Sequence, residues 1–235
     1  MSKILVSDFD GTIKTSSKYI NYLNFKALRK FKENGNKLVI ASARDFNSLK
    51  SNLVNNSLYY DALICNDGGS IFSKDNELLY GLFFENQELE NIIYFFKKQG
   101  NKYIKRIDLY NKFGFTYTQN NIIEVALLLK SFKNVERLLK FSTDYFNNIQ
   151  INKVGQFAYI RKKSNKSSAL KKLSEIYKLD KNDIVTIGDG INDYEMIRDY
   201  KGYNVLYSHP ILYKVSNGTV ISTSQLVKKL EKNKR

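Results

Sequence analysis

Short runs of consecutive apolar residues alternate along this chain with longer stretches in which apolar residues recur every three or four positions. Residues 3–8 form an apolar run ending in an acid, which predicts a buried strand. Ile20, Leu23, Ala27, Leu28 and Phe31 recur at helical spacing, and Gly35 stands where that helix would stop. Lys37–Ala41 predicts a second buried strand. Phe46, Leu49, Leu53 and Val54 mark a second helix, with Asp45 near its start. Asp61–Cys65 predicts a third strand, followed by the turn signal Asn66-Asp67-Gly68-Gly69. Strand, helix, strand, helix, strand is the pattern of a parallel doubly wound sheet.

The pattern then changes. Residues 70–83 read as a hairpin around Lys74-Asp75-Asn76, and a helix over 86–99 turns Leu89, Ile92, Ile93 and Phe96 inward. Strands rich in Tyr, Ile and Phe fill 102–130. A helix over 132–146 and a hairpin over 148–161 follow. Hairpin-paired strands with two helices among them predict a small α+β unit. After residue 162 the first pattern resumes: a helix over Lys166–Tyr177 with Leu170, Leu173 and Ile176 on one face, a strand over Asp183–Ile187, a helix, a strand over Tyr203–Tyr207, and a final helix from about Ser224. The expected architecture is an α/β fold: a discontinuous doubly wound, Rossmann-like core (1–82 and 160–235) with an inserted α+β domain (83–159).

Composition narrows the class. Hydrophobic residues make up 43% of the 235 residues, enough to fill a core. No apolar run approaches the roughly 18 residues that span a bilayer. One cysteine excludes an internal disulfide framework. Residues 1–10 read as a strand rather than a cleavable leader. A cytoplasmic protein is therefore expected. The net charge of +15 raises nucleic acid as a partner. However, only seven of the 38 basic residues are Arg, the side chain that base readout and bidentate phosphate contacts favour. Abundant Lys and Asn with one Pro and no Trp instead suggest coding bias toward A and T, so nucleic acid is not the expected partner. The sequence leaves the oligomeric state open.

The acids matter more than the bases. In open α/β sheets, ligands bind beyond the carboxyl ends of the strands. The first strand ends in Asp8-Phe9-Asp10-Gly11-Thr12, and the strand over 183–187 ends in Gly188-Asp189-Gly190-Ile191-Asn192-Asp193. If those strands are neighbours, three or more carboxylates converge and repel one another unless a cation joins them. An all-oxygen set with no His or Cys favours Mg2+ over zinc. At such a site one carboxylate can attack an electrophile while another moves protons. Ser42, at the end of the second strand, and Lys166, at the start of a helix, can meet a phosphoryl group. Arg44 has two readings, contact with substrate or pairing with a neighbouring acid.

These residues, in order, resemble the four motifs of the haloacid dehalogenase superfamily, and the placement of the insert is similar to that of its Cof-type, IIB-cap phosphatases. Asn66-Asp67-Gly68-Gly69 resembles that family's segment after the third strand. The resemblance implies Asp8 as nucleophile and Asp10 as general acid/base. It implies Mg2+ held by Asp8, the Asp10 carbonyl and Asp189, with Asp193 supporting it. It places Thr12, Ser42, the Ala43 N–H, Lys166 and Asn192 around the phosphoryl group. The implied substrate is a small phosphorylated metabolite such as a sugar phosphate.

Departures from the pattern are Ser42-Ala43-Arg44 where Thr-Gly-Arg is usual, Ser167 in place of a common Gly, and Ser208-His209-Pro210 in a loop where the family usually has small residues and Asn-Ala. Lys162 and Lys163 compete with Lys166 for the motif position. The length implies a reduced cap. Rival readings are a phosphotransferase or mutase on the same scaffold, a narrow phosphoglycolate or disaccharide-phosphate phosphatase, and a polyanion-binding regulatory protein with a vestigial site. His209 reads as a loop residue and Cys65 as a core residue. Tyr110, Phe113, Phe115 and Tyr117 read as sheet packing.

Overall fold

The computed structural model describes residues 2–112, 114–130 and 135–232. Two compact units emerge, one from residues up to Leu79 together with those from Asn165 onward, the other from Tyr80–Ser164.

The first unit is built on an eight-stranded sheet in the order β13-β12-β11-β1-β2-β3-β4-β5. Its strands are β1 (Ile4–Asp8), β2 (Lys37–Ala41), β3 (Ala62–Cys65), β4 (Ser70–Ser73), β5 (Leu78–Gly81), β11 (Ile184–Gly188), β12 (Lys201–Val205) and β13 (Thr219–Val220). Pairing is parallel from β13 to β3, and β4 runs antiparallel to β3. Every residue of β1, β3 and β11 is buried, which explains why these strands read as unbroken apolar runs.

The helices of this unit are α1 (Lys18–Glu33), α2 (Phe46–Asn55), α5 (Lys166–Tyr177), α6 (Tyr194–Asp199) and α7 (Thr223–Lys232). Ser17 caps α1 by accepting the Ile20 N–H, and Asp45 caps α2 through Ser48 N. Phe25, Leu28 and Phe31 of α1 pack with Leu5, Leu38 and Leu226 in one core.

The second unit holds a five-stranded antiparallel sheet in the order β7-β6-β8-β10-β9. Its strands are β6 (Ile104–Asn111), β7 (Gly114–Thr116), β8 (Glu124–Leu129), β9 (Ile149–Val154) and β10 (Phe157–Lys162). With α3 (Asn86–Gln99) and α4 (Val135–Tyr145) it encloses a separate core that includes Leu89, Ile92, Phe96, Val125, Leu127 and Ile160. The chain returns to the first unit at Asn165 rather than at 160, because Phe157–Lys162 continue pairing in β10.

Several local expectations are corrected. Val54 lies one position beyond the buried Phe46-Leu49-Leu53 stripe of α2 and is exposed. Ile176 follows Leu170 and Leu173 at steps of three, which drift about 60° per step around a helix, and it reaches the surface. On α1 the fully buried positions are Asn24, Phe25, Leu28 and Phe31, with Ile20, Leu23 and Ala27 at the edge. The strand expected over Tyr203–Tyr207 runs over Lys201–Val205. Past it, Ser208 accepts from the Asn204 side chain and Tyr207 adopts φ 66° with its ring in solvent. Phe115 and Tyr117 are exposed; Phe115 packs edge-on against Tyr110 and Tyr117 rather than into the sheet core. Phe113 and residues 132–134 of the expected fourth helix lie outside the described residues. Cys65 is buried in the core and His209 sits in an exposed loop, both as read.

Candidate active site

β1 runs between β11 and β2, with Ser7 opposite Ile187 and Asp8 opposite Ala41. Their carboxyl ends therefore bring three loops together: Asp8–Thr12, Ser42–Arg44 and Gly188–Asp193. Asp8, Asp189 and Asp193 each offer an oxygen within 4.8 Å of the others. Gly11 makes room for this approach. Its φ is +89°, and a Cβ there would lie 2.1 Å from an Asp189 oxygen.

One cation is built into the cluster. Lys166 is fully buried, and its Nζ donates to Asp8 Oδ1 and Asp193 Oδ1 at 2.6 Å each. Lys166 opens α5, where the Asn165 side chain accepts Ser168 N and Ser168 Oγ answers the Asn165 N–H. The neighbouring Lys162 pairs instead with Glu88 in the second unit. Burial opposes the Lys166 ammonium, but the Asp193 and Asp8 charges outweigh it and push the group upward.

Burial also raises Asp8 well above the usual carboxylate range, with Lys166 pulling the other way and Asp193 and Asp189 adding to the rise. Asp8 Oδ2 is buried with no hydrogen-bond partner, an arrangement that native interiors avoid. Asp189 is raised too, first by burial, and Thr12 Oγ1 opposes this by donating to its Oδ1 at 2.6 Å. Asp193 is fully engaged: its Oδ2 accepts the N–H groups of Asp189 and Gly190 at 3.0 and 2.9 Å.

The remaining predicted residues are placed as follows. Ser42 is buried, and its Oγ accepts the Arg44 N–H at 3.2 Å, so its own hydrogen remains to be given. Ala43 lies between them in this turn. Asn192 donates through Nδ2 to Asp67 Oδ1 at 2.9 Å. The Thr12 hydroxyl is committed to Asp189. The Asp10 carboxylate is not part of the three-acid cluster; it is about half exposed and held by Arg44, the acid-pairing alternative of its two readings.

The sequence marks Asp67 as part of a turn and of the segment resembling the family's after its third strand, with no role of its own. It is buried, has φ 52°, and follows Asn66 at φ 54°. Gly68 comes next at φ +95°, and a Cβ there would meet Asn165 O at 2.3 Å. Three successive left-handed residues thus let the β3 turn approach the start of α5, where Asp67 adds its charge to the field at Lys166. An acid in a Gly-rich turn after a buried strand was the available signal. Asn24 was also missed: its amide holds the Thr12 and Ile13 carbonyls and accepts Ser224 N.

A family model described as haloacid dehalogenase-like hydrolase matches residues 5–120 and 101–206. The chain belongs to the haloacid dehalogenase-like hydrolase family. Among solved structures, a haloacid dehalogenase-like hydrolase from Bacteroides thetaiotaomicron superposes with a TM-score of 0.83 at 16% identity, covering 98% of this chain and 100% of that one. A haloacid dehalogenase subclass IIB sugar phosphatase superposes with a TM-score of 0.74 at 17% identity, covering 98% and 99%. A protein of Buchnera aphidicola subsp. Baizongia pistaciae, named as a candidate phosphatase, is 24% identical across 91% of this chain and 90% of its own length. In this hydrolase family setting, the Asp8–Asp189–Asp193 cluster with Lys166 is the candidate centre.

Proposed function

We propose that this hydrolase is a Mg2+-dependent phosphatase of small phosphorylated metabolites, sugar phosphates among them, acting through an aspartyl-phosphate on Asp8. The observation that carries it is the charge balance of the cluster. Three carboxyl groups face one ammonium, so their full ionisation leaves two negative charges to be met, and the buried Asp8 Oδ2 has no partner. A hard divalent cation fits both facts, and the all-oxygen donor set suits Mg2+. Asp8, the Asp10 carbonyl and Asp189 would hold it, with Asp193 bracing Asp189 and Lys166. When bound, it supplies charge neutralisation for the carboxylates and the phosphoryl oxygens.

The chain's own groups then act in order. Asp8 bonds to phosphorus while Asp10 gives a proton to the departing oxygen. Asp10 next takes a proton from water as the water oxygen bonds to phosphorus and the Asp8–phosphorus bond breaks. The Ser42 hydroxyl, the Ala43 N–H, Lys166 and Asn192 orient the phosphoryl oxygens. Thr12 serves this reading indirectly, by fixing Asp189. The second unit is the cap that selects the leaving group. The sugar-phosphatase structural neighbour and the phosphatase-named relative support this substrate class.

A phosphate-release screen over phosphorylated metabolites, with Mg2+ and then with chelator, tests the reading. Release that chelation abolishes is expected. Phosphate passed to a sugar hydroxyl instead of water would make the protein a phosphotransferase. Steeply salt-dependent RNA binding, with no hydrolysis of 4-nitrophenyl phosphate, would overturn the proposal.

A further inference from the structure

Arg44 is a partly buried cation beside the site, held by several groups. Its Nε and Nη2 donate to Asp10 Oδ2 and Oδ1 at 2.6 and 2.8 Å, a two-pronged grip on one carboxylate. The fork is itself anchored. Nη1 donates to Ser48 Oγ at 3.0 Å, and the guanidinium lies over the Phe9 ring at 5.7 Å. The Arg44 N–H is fixed by Ser42 Oγ. Ser48 is held in turn because its own N–H donates to Asp45, the cap of α2. Asp10, by contrast, has its side chain about half exposed, and Arg44 is the side chain that orients it. A flexible carboxylate in solvent samples several rotamers, whereas one gripped at both oxygens by an anchored fork keeps one.

We propose that Arg44 is a positioning residue that fixes the Asp10 carboxylate for proton transfer, with Ser48 and Phe9 fixing Arg44. This rests on the reading of Asp10 as the group that protonates the leaving oxygen. In the step concerned, the bond from phosphorus to the leaving oxygen breaks, the bond to Asp8 forms, and the proton passes from Asp10 to the leaving oxygen. Misdirection of Asp10 penalises esters whose leaving oxygen needs that proton. It spares esters whose leaving oxygen departs well as an anion.

The test compares kcat/KM for phenyl phosphate, a poor leaving group, with that for 4-nitrophenyl phosphate, a good one of similar shape, in Mg2+. Because kcat/KM reports steps only up to phosphoryl transfer onto Asp8, later hydrolysis does not enter. A ratio of two substrates on one preparation also cancels any inactive fraction, so partial misfolding does not confuse the result. The preference for 4-nitrophenyl phosphate should rise about tenfold in Arg44→Gln. It should rise further in Asp10→Asn and less in Ser48→Ala. Arg44→Lys, which keeps the charge but on a single donor nitrogen without the fork, should recover part of the loss. An unchanged preference in Arg44→Gln and Arg44→Lys, alongside a raised one in Asp10→Asn, overturns the role of Arg44 and leaves Asp10 in place. An unchanged preference in Asp10→Asn overturns the reading of Asp10 itself.

Discussion

Each unit of this molecule buries charge, and the two do so differently. In the second unit, Glu124 and Arg161 face each other across β8 and β10, both nearly inaccessible, and Arg161 Nε donates to Glu124 Oε2. Arg161 also lies over the Tyr159 ring. There a buried acid is met directly by a buried base. In the first unit, three carboxylates meet one ammonium and a buried oxygen is left unmatched. Balanced burial is a structural device whose net contribution is small. Unbalanced burial leaves a demand that a proton or a bound cation can meet. The contrast picks out the site without reference to any relative.

The contrast can be broken most strongly at Asp8. Asp8→Asn should lower phosphate release by about 10^3-fold or more, because the bond-forming oxygen loses its charge. The fold should persist, since the change removes one of three repelling carboxylates. Near-wild-type release with an intact circular dichroism spectrum would remove Asp8 from the nucleophile role.

The same kind of change in the balanced pair should have the opposite effect on stability. Glu124→Gln removes the charged acceptor of the Arg161 Nε–H and should cost about 3–5 kcal/mol in denaturant unfolding. A loss under 1 kcal/mol would show that the pair is better solvated than its burial indicates.

Mg2+ should stabilise the folded chain by about 2.7 kcal/mol at a hundredfold excess over its dissociation constant, read as a higher Tm. Asp189→Asn should abolish most of that rise. The gain also depends on pH. Burial raises Asp8 in the metal-free chain, so between the ordinary carboxylate range and the raised value the folded state holds a proton that the unfolded state has lost. Metal-free stability from this group therefore falls as pH rises through that window. The Mg2+ increment should grow over the same window and vanish in acid. An increment independent of pH would contradict this.

The smallest effect concerns neither buried charge. Asp45→Ala removes the cap of α2 and should cost about 1 kcal/mol, since the Ser48 N–H loses its acceptor. It should also loosen Arg44 through Ser48.

Local features were legible in the sequence because they rest on local physics. The 86–99 and 166–177 helices appear with their expected limits, each announced by its apolar spacing. The acidic ends of β1 and β11 were legible because buried parallel strands place their carboxyl-terminal loops on one edge. Their convergence then follows from the adjacency of those strands. Lys166 is separable from Lys162 and Lys163 in the sequence only through the Ala169-Leu170 that follows it. What stayed hidden depends on contacts across the fold. Asp67 meets Asn192 through a left-handed turn that no spacing announces. Asn24 looks like a misplaced polar residue in a helix until the Thr12 and Ile13 carbonyls and Ser224 close around it. The choice of Arg44 between substrate and acid required the orientation of Asp10, which is tertiary.

The central claim is that the unmatched carboxylate of Asp8 takes up the phosphoryl group. Acid quenching of the enzyme during turnover of 4-nitrophenyl phosphate in Mg2+, followed by peptide mass spectrometry, tests it most directly. The account predicts one phosphoryl group on the peptide carrying Asp8, removed by hydroxylamine and absent from Asp8→Asn. A phosphoryl group on any other residue, or steady phosphate release while Asp8 stays bare at every quench time, would contradict it.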